Sequence, residues 1–319
     1  YGAEILRLWV ASEDYRDDVK VSDEILRHVS DAYRKMRNTI RFMLSNLYDF
    51  DPATDSVDLD AMTDLDRWAL DKFAGVTDRV VKAYLSYEFH KVYHSLHNFC
   101  GTDMSSLYLD IIKDRLYVSA PDSTKRRAAQ TAIHRILDGL LKLMSPILSF
   151  TTAEAWEHLR GGGEEMPVEE SLFFAAFPGT DDLRVDADFS RTWERLLDIR
   201  GEITRVLEAA RRDKIIGLSL DAEVLVQVEG ETADFLADKW SQLQEICIVS
   251  KLVHVDDFAG AQGVTVTESE EIRGLKIAVR PAPGGKCERC WTLATSVGQD
   301  SDHPTICGRC VEVVRSLNG

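Results

Sequence analysis

Four cysteines near the end of the chain have the spacing of a metal site. Cys287 and Cys290 form one Cys-x-x-Cys pair, Cys307 and Cys310 form a second, and sixteen residues separate the pairs. Each pair places two sulfurs at one ion, and the intervening loop brings the second pair opposite the first. This spacing predicts one tetrahedral Zn²⁺. Because four protein ligands leave no open coordination position, we expect the zinc to be structural and not catalytic.

The alternative for a Cys-x-x-Cys pair is a redox site of the thioredoxin kind. Such a site typically uses one pair in a βαβ setting, so two pairs favour zinc. The other cysteines, Cys100 and Cys247, lie alone in apolar stretches, where we expect small buried thiols. A disulfide framework would spread its cysteines along the chain, so this usage indicates a reducing compartment.

An aromatic residue, Trp291, directly follows the first cysteine pair, with Arg289 two positions before it and Lys286 close by. Two interpretations of the ring stay open. A lone tryptophan ordinarily packs inward. An indole and a guanidinium on a metal-braced loop also suit contact with an unpaired base and its phosphate, and such stacking is worth roughly 1–3 kcal/mol per base.

Length and charge limit the class of protein. The 319 residues predict two or three domains, and the formal net charge is −16, from 54 acidic and 38 basic residues. That charge argues against indiscriminate binding to nucleic acid or membrane, but it leaves room for RNA at a local basic surface. No window is apolar for long enough to span a membrane. The opening YGAEILRLWV has no initiator methionine and no signal-peptide pattern, so we expect it to continue a longer chain.

Three basic segments are candidates for such a surface, at 33–41, 125–127 and 211–214. Each lies on a predicted helix. A run of charges on a helix is usually only its solvated face, so both interpretations stay open for each segment.

The elements that position these residues are mainly helical up to residue 160. Ser22 is a predicted N-cap, and an apolar stripe follows it to a helix end before Pro52. Thr63 opens a long pattern that continues towards Gly101, a shorter helix covers about 104–116, and another runs from about 122 to Pro146. Thr151-x-x-Glu154 predicts one more helix start. This order indicates an antiparallel helical bundle over 22–160.

A smaller α+β module is predicted after a loop at 161–188. A helix covers 190–212, strand-like stretches lie at 222–228, 246–255, 264–268 and 275–280, and a short helix lies at about 231–244. Pro281 to Gly285 then form a connector into the cysteine cluster. The predicted fold class is therefore mainly α, with a helical bundle, a small α+β module and a zinc knuckle.

Sequence motifs for other chemistry are absent. The chain has no phosphate loop, no G-x-G-x-x-G after a strand, no H-E-x-x-H and no G-x-S-x-G. His90, His94 and His97 have metal-compatible spacing on one predicted helix. Because aromatic residues alternate with them, we favour a packing or surface role. No catalytic residue is predicted.

Three stretches closely resemble bacterial isoleucyl-tRNA synthetases, in that family's order. They are residues 1–52, which resemble the segment just beyond the KMSKS loop, residues 212–224 (RDKIIGLSLDAEV), and the terminal KCERCW and ICGRC. The resemblance covers essentially the whole chain. The cysteine knuckle is also similar to zinc fingers of formamidopyrimidine-type DNA glycosylases.

The resemblance implies a domain order for the chain. The implied segments are a connector at 1–21, an anticodon-binding helical bundle at 22–160, a linker at 161–189, an α+β junction module at 190–280 and a zinc-binding domain at 281–319. A preceding catalytic domain with HIGH and KMSKS motifs, which would bind ATP, and an editing domain would lie outside this sequence. Neither motif occurs here.

The resemblance also implies which residues contact tRNA. In the family the zinc domain reaches the anticodon loop, and Arg289 and Trp291 occupy the CxRCW positions that approach an anticodon base. Lys20 matches a position where the family often has arginine, and lysine keeps the charge but lacks the bidentate fork. The candidate phosphate contacts on the first bundle helix are Arg34, Lys35, Arg37 and Arg41.

These observations lead to two hypotheses for the function. The leading hypothesis is the tRNA anticodon-recognition region of an isoleucine–tRNA ligase, which uses ATP to attach isoleucine to its tRNA. We expect this chain alone to be inactive, cytoplasmic and monomeric, with isoleucine-specific tRNA and its own catalytic and editing domains as partners. The alternative is a stand-alone zinc-braced module for nucleic-acid or protein interaction.

Overall fold

The computed structural model describes residues 1–161, 167, 170–261 and 263–318. The chain divides into two compact units. Unit 1 contains Tyr1–Leu116 and Pro121–Asp186, and unit 2 contains Tyr117–Ala120 and Ala187–Gly319. The predicted domain boundaries stay a prediction. Gly162, Gly163 and several other residues of the predicted linker at 161–189 lie outside the described residues. Within the described ranges, no helix combines the length and apolarity that a membrane crossing needs.

Unit 1 is built from helices, and the predicted fold class is confirmed. Its α-helices are α1 (Ala3–Ser12), α2 (Asp23–Ser45), α3 (Asp64–Leu85), α4 (Phe89–Asn98), α5 (Leu109–Ile111), α6 (Lys113–Val118, whose last two residues belong to unit 2), α7 (Thr124–Met144) and α8 (Ser149–Leu159). A π-helix, Phe99–Tyr108, joins α4 to α5. Short 3₁₀ turns lie at Leu59–Ala61, Leu172–Phe174 and Asp181–Leu183.

The core of unit 1 forms around α7, which packs against α2, α3 and α8. Its apolar residues, including Ile133, Ile136 and Leu137, are fully buried. At Gly139 an added Cβ would lie 2.6 Å from the ring of Phe73 on α3. The glycine therefore permits the close approach of these two helices.

The first helix starts follow their predicted caps. The Ser22 side chain accepts a hydrogen bond from the Ile25 N–H, as predicted. Ser123, for which no cap was predicted, accepts one from the Arg126 N–H at the start of α7. Thr63 accepts one from the Asp66 N–H at the start of α3. Each cap satisfies a backbone donor that has no partner within its helix.

The predicted continuous helix from Thr63 towards Gly101 is wrong. The helix is interrupted at residues 86–88. Tyr87 takes a left-handed φ of 57° there, and the Glu88 N–H donates to the Ala83 carbonyl at 2.8 Å. The apolar spacing continues across the break because α3 and α4 pack against each other. Periodicity alone therefore could not locate the turn.

The predicted start at Thr151 is also wrong. The helix α8 begins at Ser149, and Thr151 lies inside it, with its hydroxyl 2.9 Å from the hydroxyl of Tyr33. The carboxylate of Glu4, on α1, accepts hydrogen bonds from the N–H groups of Phe150 and Thr151. A distant carboxylate thus takes the role that sequence reasoning assigned to a local cap.

A buried polar network fixes the end of the π-helix. Asp66 is fully buried and accepts hydrogen bonds from the Tyr108 hydroxyl at 2.8 Å and from Arg115 at 3.0 Å. Thr63 donates to the same carboxylate at 2.6 Å. Because a buried carboxylate requires such partners, these contacts hold the start of α3 against the π-helix.

Unit 2 combines helices with a four-stranded sheet. Its elements are α9 (Ala187–Arg212), β1 (Ala222–Gln227), α10 (Glu231–Leu236), α11 (Trp240–Cys247), β2 (Lys251–His254), β3 (Val266–Glu268), β4 (Lys276–Pro281), β5 (Gly285–Lys286), β6 (Leu293–Ala294) and α12 (Gly308–Asn318), with a 3₁₀ turn at Ser219–Asp221. The strand order is β2-β1-β4-β3, and β1 pairs in parallel with β2 and antiparallel with β4. The strands β5 and β6 form a separate hairpin.

The predicted strand at 246–255 is mostly wrong. Ile246 and Cys247 end α11, Ile248 takes a left-handed φ of 55°, and only Lys251–His254 forms a strand. The predicted short helix at 231–244 is two helices. A continuous apolar run does not distinguish a buried helix end from a strand. The end of α11 and the strand β2 were therefore predicted as one strand.

Candidate metal centre and nucleic-acid interface

The cysteine cluster lies on two turns that end the second unit. The first turn connects β5 to β6, and the second leads into α12. Gly284, just before β5, has φ +102°, and an added Cβ would lie 2.3 Å from the backbone of Ala294. Only glycine fits there, so the two strands of the hairpin lie close together.

The structure brings all four predicted cysteine ligands together. Their sulfur atoms lie within 4.8 Å of one another, and all four residues are buried. The Sγ atoms of Cys290 and Cys307 are 3.7 Å apart. Within the described residues, this is the group of side chains that could hold a metal ion. His90, His94 and His97 of α4 are not part of that group, and their packing or surface role stays a prediction.

Backbone donors stabilise negative charge on the sulfurs. The Cys307 N–H donates to the Cys287 sulfur at 3.3 Å. Burial acts to raise the pKa of Cys287, but hydrogen bonds from the N–H groups of Cys290 and Cys307 outweigh it and bring that pKa to about 6. Burial raises the pKa of Cys310. A buried group of thiols with backbone donors fits a soft cation that keeps them deprotonated.

The side chain of Trp291 points away from this core. The indole is 59% exposed, and the residue has a left-handed φ of +66°. The backbone N–H of Trp291 donates to the Cys287 carbonyl at 2.9 Å, which closes the first cysteine turn. Of the two interpretations that sequence reasoning left open, inward packing is excluded. The ring is available to a partner.

Arg289, by contrast, points inward. Its guanidinium donates to the Val118 carbonyl at 2.6 Å and to the Cys310 sulfur at 3.7 Å. The Val118 side chain is buried against the same four cysteines. Sequence reasoning placed Arg289 on RNA and missed Val118, which precedes it by 171 positions and carries no motif. The observed contacts brace the knuckle from inside.

Polar side chains complete the two turns. The Thr292 hydroxyl lies 2.9 Å from the Cys290 sulfur, and the Ser296 hydroxyl accepts from the Gly308 N–H at the start of α12. Ser250 accepts from the Leu293 N–H at 2.7 Å and donates to the Leu220 carbonyl, which joins the hairpin to the segments that precede β2 and β1. Serine and threonine are common in loops, so nothing in the sequence singled these residues out.

The remaining predicted RNA contacts are surface cations. Lys286 is exposed on β5, and Lys20 is exposed before α2. The backbone carbonyl of Lys20 accepts from the Trp9 indole N–H at 3.2 Å. The four predicted cations of α2, which are Arg34, Lys35, Arg37 and Arg41, are exposed as well. Arg34 pairs with Asp31 at 2.8 Å, whereas no carboxylate among the described residues pairs with Lys35, Arg37 or Arg41.

The other two basic segments are largely occupied within the fold. Arg126 is 4% exposed and binds the Asp49 carboxylate at 2.7 Å, and Arg127 donates to the Asp49 carbonyl and pairs with Asp55. Arg211 pairs with Glu208 at 2.9 Å. These cations stabilise the loops and helix ends that they contact. The cations of α2 are therefore the better candidates for a nucleic-acid surface.

The two isolated cysteines are buried thiols, as predicted. Cys100 and Cys247 are buried, and burial raises the pKa of each thiol to about 12. Neither cysteine belongs to a metal-compatible group within the described residues, and a buried thiol with such a pKa is not a nucleophile at neutral pH.

Two family models match the chain. The anticodon-binding domain of tRNA ligase matches residues 66–226, about half of the chain. The zinc finger found in FPG and IleRS matches residues 284–313. That match and the four buried sulfurs fit one structural Zn²⁺, in agreement with the prediction from cysteine spacing.

The chain is also similar to curated proteins along its whole length. It is 54% identical to the isoleucine–tRNA ligase of Desulfotalea psychrophila, over 100% of this chain and 34% of that protein. The corresponding enzymes of Syntrophotalea carbinolica and Geobacter sulfurreducens are 49% and 44% identical, over 98% and 99% of this chain and 33% of each relative. The chain thus spans about a third of the length of these relatives.

These matches confirm the resemblance that the terminal KCERCW and ICGRC and the two other stretches indicated. The chain belongs to the family of tRNA-ligase anticodon-binding domains, in which its similarity is to the isoleucine–tRNA ligases.

Proposed function

We propose that the chain binds isoleucine-specific tRNA at the anticodon loop and serves as the anticodon-recognition part of an isoleucine–tRNA ligase. The observation that carries this proposal is the exposed indole of Trp291, held at left-handed φ on a closed sulfur cluster. Family membership and the names of the relatives support the same function. Attachment of isoleucine with ATP, and editing, would be carried out by the parts of the enzyme that this chain does not match.

Recognition would combine a base contact with phosphate contacts. Trp291 offers a π-face on which one unstacked anticodon base can lie, and Lys286 is a nearby cation for its phosphate. Arg37 and Arg41, one turn apart on α2, would contact the phosphate backbone, with Arg34 and Lys20 as further cations. The acidic remainder of the chain would disfavour RNA that cannot reach these cations.

Cys287, Cys290, Cys307 and Cys310 would hold the zinc, which supplies rigidity and no reactive position. Arg289 has a different proposed role from the one that the resemblance implied. Because its guanidinium is directed at the Val118 carbonyl and a cysteine sulfur, we assign it to bracing the knuckle.

The stand-alone interaction module is not favoured, since the similarity to isoleucine–tRNA ligases runs along the whole chain. Equilibrium binding distinguishes the two functions. We expect the zinc-loaded chain to bind isoleucine-specific tRNA more tightly than the same tRNA carrying another anticodon. Equal affinity for both tRNAs would overturn the proposed function.

A further inference from the structure

A polar groove of about 450 Å³ lies in unit 1. Lys35 and Asn38 of α2 form one wall, and His97, at the end of α4, contributes to the other. Gly101 and Ser105 of the π-helix also line it. The volume is in the range that binds small ligands or one part of a larger one.

The charge of the groove is opposite to that of the chain. The sequence has 54 acidic and 38 basic residues, yet none of the lining residues carries a carboxylate. Lys35 is exposed, and within the described ranges no carboxylate pairs with it. An unpaired ammonium beside walls free of negative charge attracts an anion.

The rest of the lining offers neutral hydrogen-bonding groups. Burial lowers the pKa of His97, and the nearby Lys35 charge acts in the same direction, so its imidazole is neutral at pH 7. The ring is stacked on Tyr93 at 5.7 Å. The side chains of Asn38 and Thr102 are exposed at the groove. Neutral amide, hydroxyl and imidazole groups suit the hydroxyls of a sugar.

The backbone keeps the groove open. Thr39 donates to the Cys100 carbonyl at 3.3 Å, and its hydroxyl lies 2.8 Å from that of Ser105, which fixes α2 against the π-helix. An added Cβ at Gly101 would meet no atom within 4 Å. π-Helical segments occur frequently at functional sites, and a preformed groove avoids the cost of ordering its walls on binding.

We propose that this groove binds one ribose–phosphate unit of an RNA backbone, with Lys35 on the phosphate and the neutral groups of Asn38, Thr102 and His97 facing the ribose hydroxyls. RNA is the anion that the proposed function supplies, and the inference rests on that function. A ribose, unlike a deoxyribose, presents a 2′-hydroxyl to such neutral donors and acceptors. The groove would therefore add an RNA contact that requires no base.

Binding of an anticodon stem-loop RNA to single variants tests the inference. Lys35→Met removes the charge. Gly101→Leu places a side chain in the groove, and its Cβ would meet no atom within 4 Å. We expect each variant to weaken binding several-fold, and Lys35→Met to reduce the dependence of log K on log salt by about one. Lys82→Met, which removes an exposed lysine of unit 1 outside the groove, should bind as the unsubstituted chain does.

A scan of single 2′-deoxy substitutions in the loop and stem tests the ribose contact. At one nucleotide the unsubstituted chain should lose affinity, and the Gly101→Leu chain should show no further loss there. Normal binding by Lys35→Met and Gly101→Leu, with Trp291→Gly weakened, would overturn the groove and leave the proposed function standing. Failure of the unsubstituted chain to bind any stem-loop would overturn both.

Discussion

At the scale of single residues, Trp291 occupies a position whose backbone suits glycine. A left-handed φ at a residue with a side chain costs roughly 1–2 kcal/mol, and the indole is exposed, so burial of the ring does not offset that cost. Strained residues of this kind cluster at binding sites. The sulfur cluster next to it holds the turn, and the strain is therefore consistent with a ring kept for a partner.

The contacts of Arg289 predict an effect on zinc and not only on RNA. Arg289→Met removes the hydrogen bonds to the Val118 carbonyl and the Cys310 sulfur. Loss of such an outer contact typically lowers metal affinity about 10- to 100-fold. Competition with a chelating dye would measure this, with the exposed Lys286→Met as control. Unchanged zinc affinity would mean that Arg289 does not brace the site.

Sequence reasoning found the residues of the site that have local patterns. The cysteine spacing located the metal cluster. Trp291 was identified as a candidate because it directly follows Cys290, but the sequence did not predict that its ring is exposed. The inward direction of Arg289 and the part played by Val118 depend on a contact across 171 positions. No local pattern encodes such a contact, so it was missed.

At the scale of elements, the sequence predicted those helices whose ends are set by their own residues. The caps at Ser22 and Thr63 act within three positions, and the predicted helices begin there. The start of α8 depends on Glu4, far earlier in the chain, and the break at 86–88 depends on packing of α3 against α4. Elements whose boundaries are set by tertiary contacts were those placed wrongly.

The sheet of unit 2 contains a buried carboxylate whose contribution to the stability of the fold should depend on pH. Glu223 on β1 is 1% exposed and pairs with Lys251 on β2 at 2.7 Å and with Arg280 on β4 at 2.5 Å. Burial acts to raise the pKa of Glu223, but the hydrogen bonds from Lys251 and Arg280 outweigh it and lower that pKa below its usual 4.5. The carboxylate therefore stabilises the fold above pH 4.5, and this stabilisation is lost as the pH falls through the lowered pKa.

We expect Glu223→Gln to lower the free energy of unfolding by about 1–3 kcal/mol at pH 7. Denaturant titrations at several pH values would measure the free energy of unfolding of both chains. The difference between the two free energies should become smaller below pH 4.5. Glu268→Gln, at an exposed position of β3, serves as the matched control. A difference that stays constant down to pH 3 would contradict the assigned role of the carboxylate.

At the scale of the whole molecule, the metal should be required for folding of the zinc knuckle but not for folding of unit 1. The knuckle buries its cysteines and few other apolar residues, so metal ligation replaces a core there. The core of unit 1 around α7 contains no residue of the cluster. Chelation should therefore unfold the knuckle and leave the helices of unit 1 folded.

Hydrogen exchange followed by mass spectrometry would measure this effect of chelation. We expect amide protection over 284–313 to fall by orders of magnitude when zinc is removed, while protection in α7 stays the same. Return of protection on adding zinc is the control for irreversible oxidation. If protection in the knuckle survives chelation, packing and not metal holds that region.

The central claim is that the metal-braced turn presents Trp291 to an RNA base, and one substitution separates this role from stability. Trp291→Gly removes the ring and relieves the left-handed strain, so the melting temperature should not fall. Affinity of the zinc-loaded chain for isoleucine-specific tRNA should drop by about 1–3 kcal/mol, and Trp291→Phe should retain most of it. Undiminished tRNA affinity in the Trp291→Gly chain would contradict the claim.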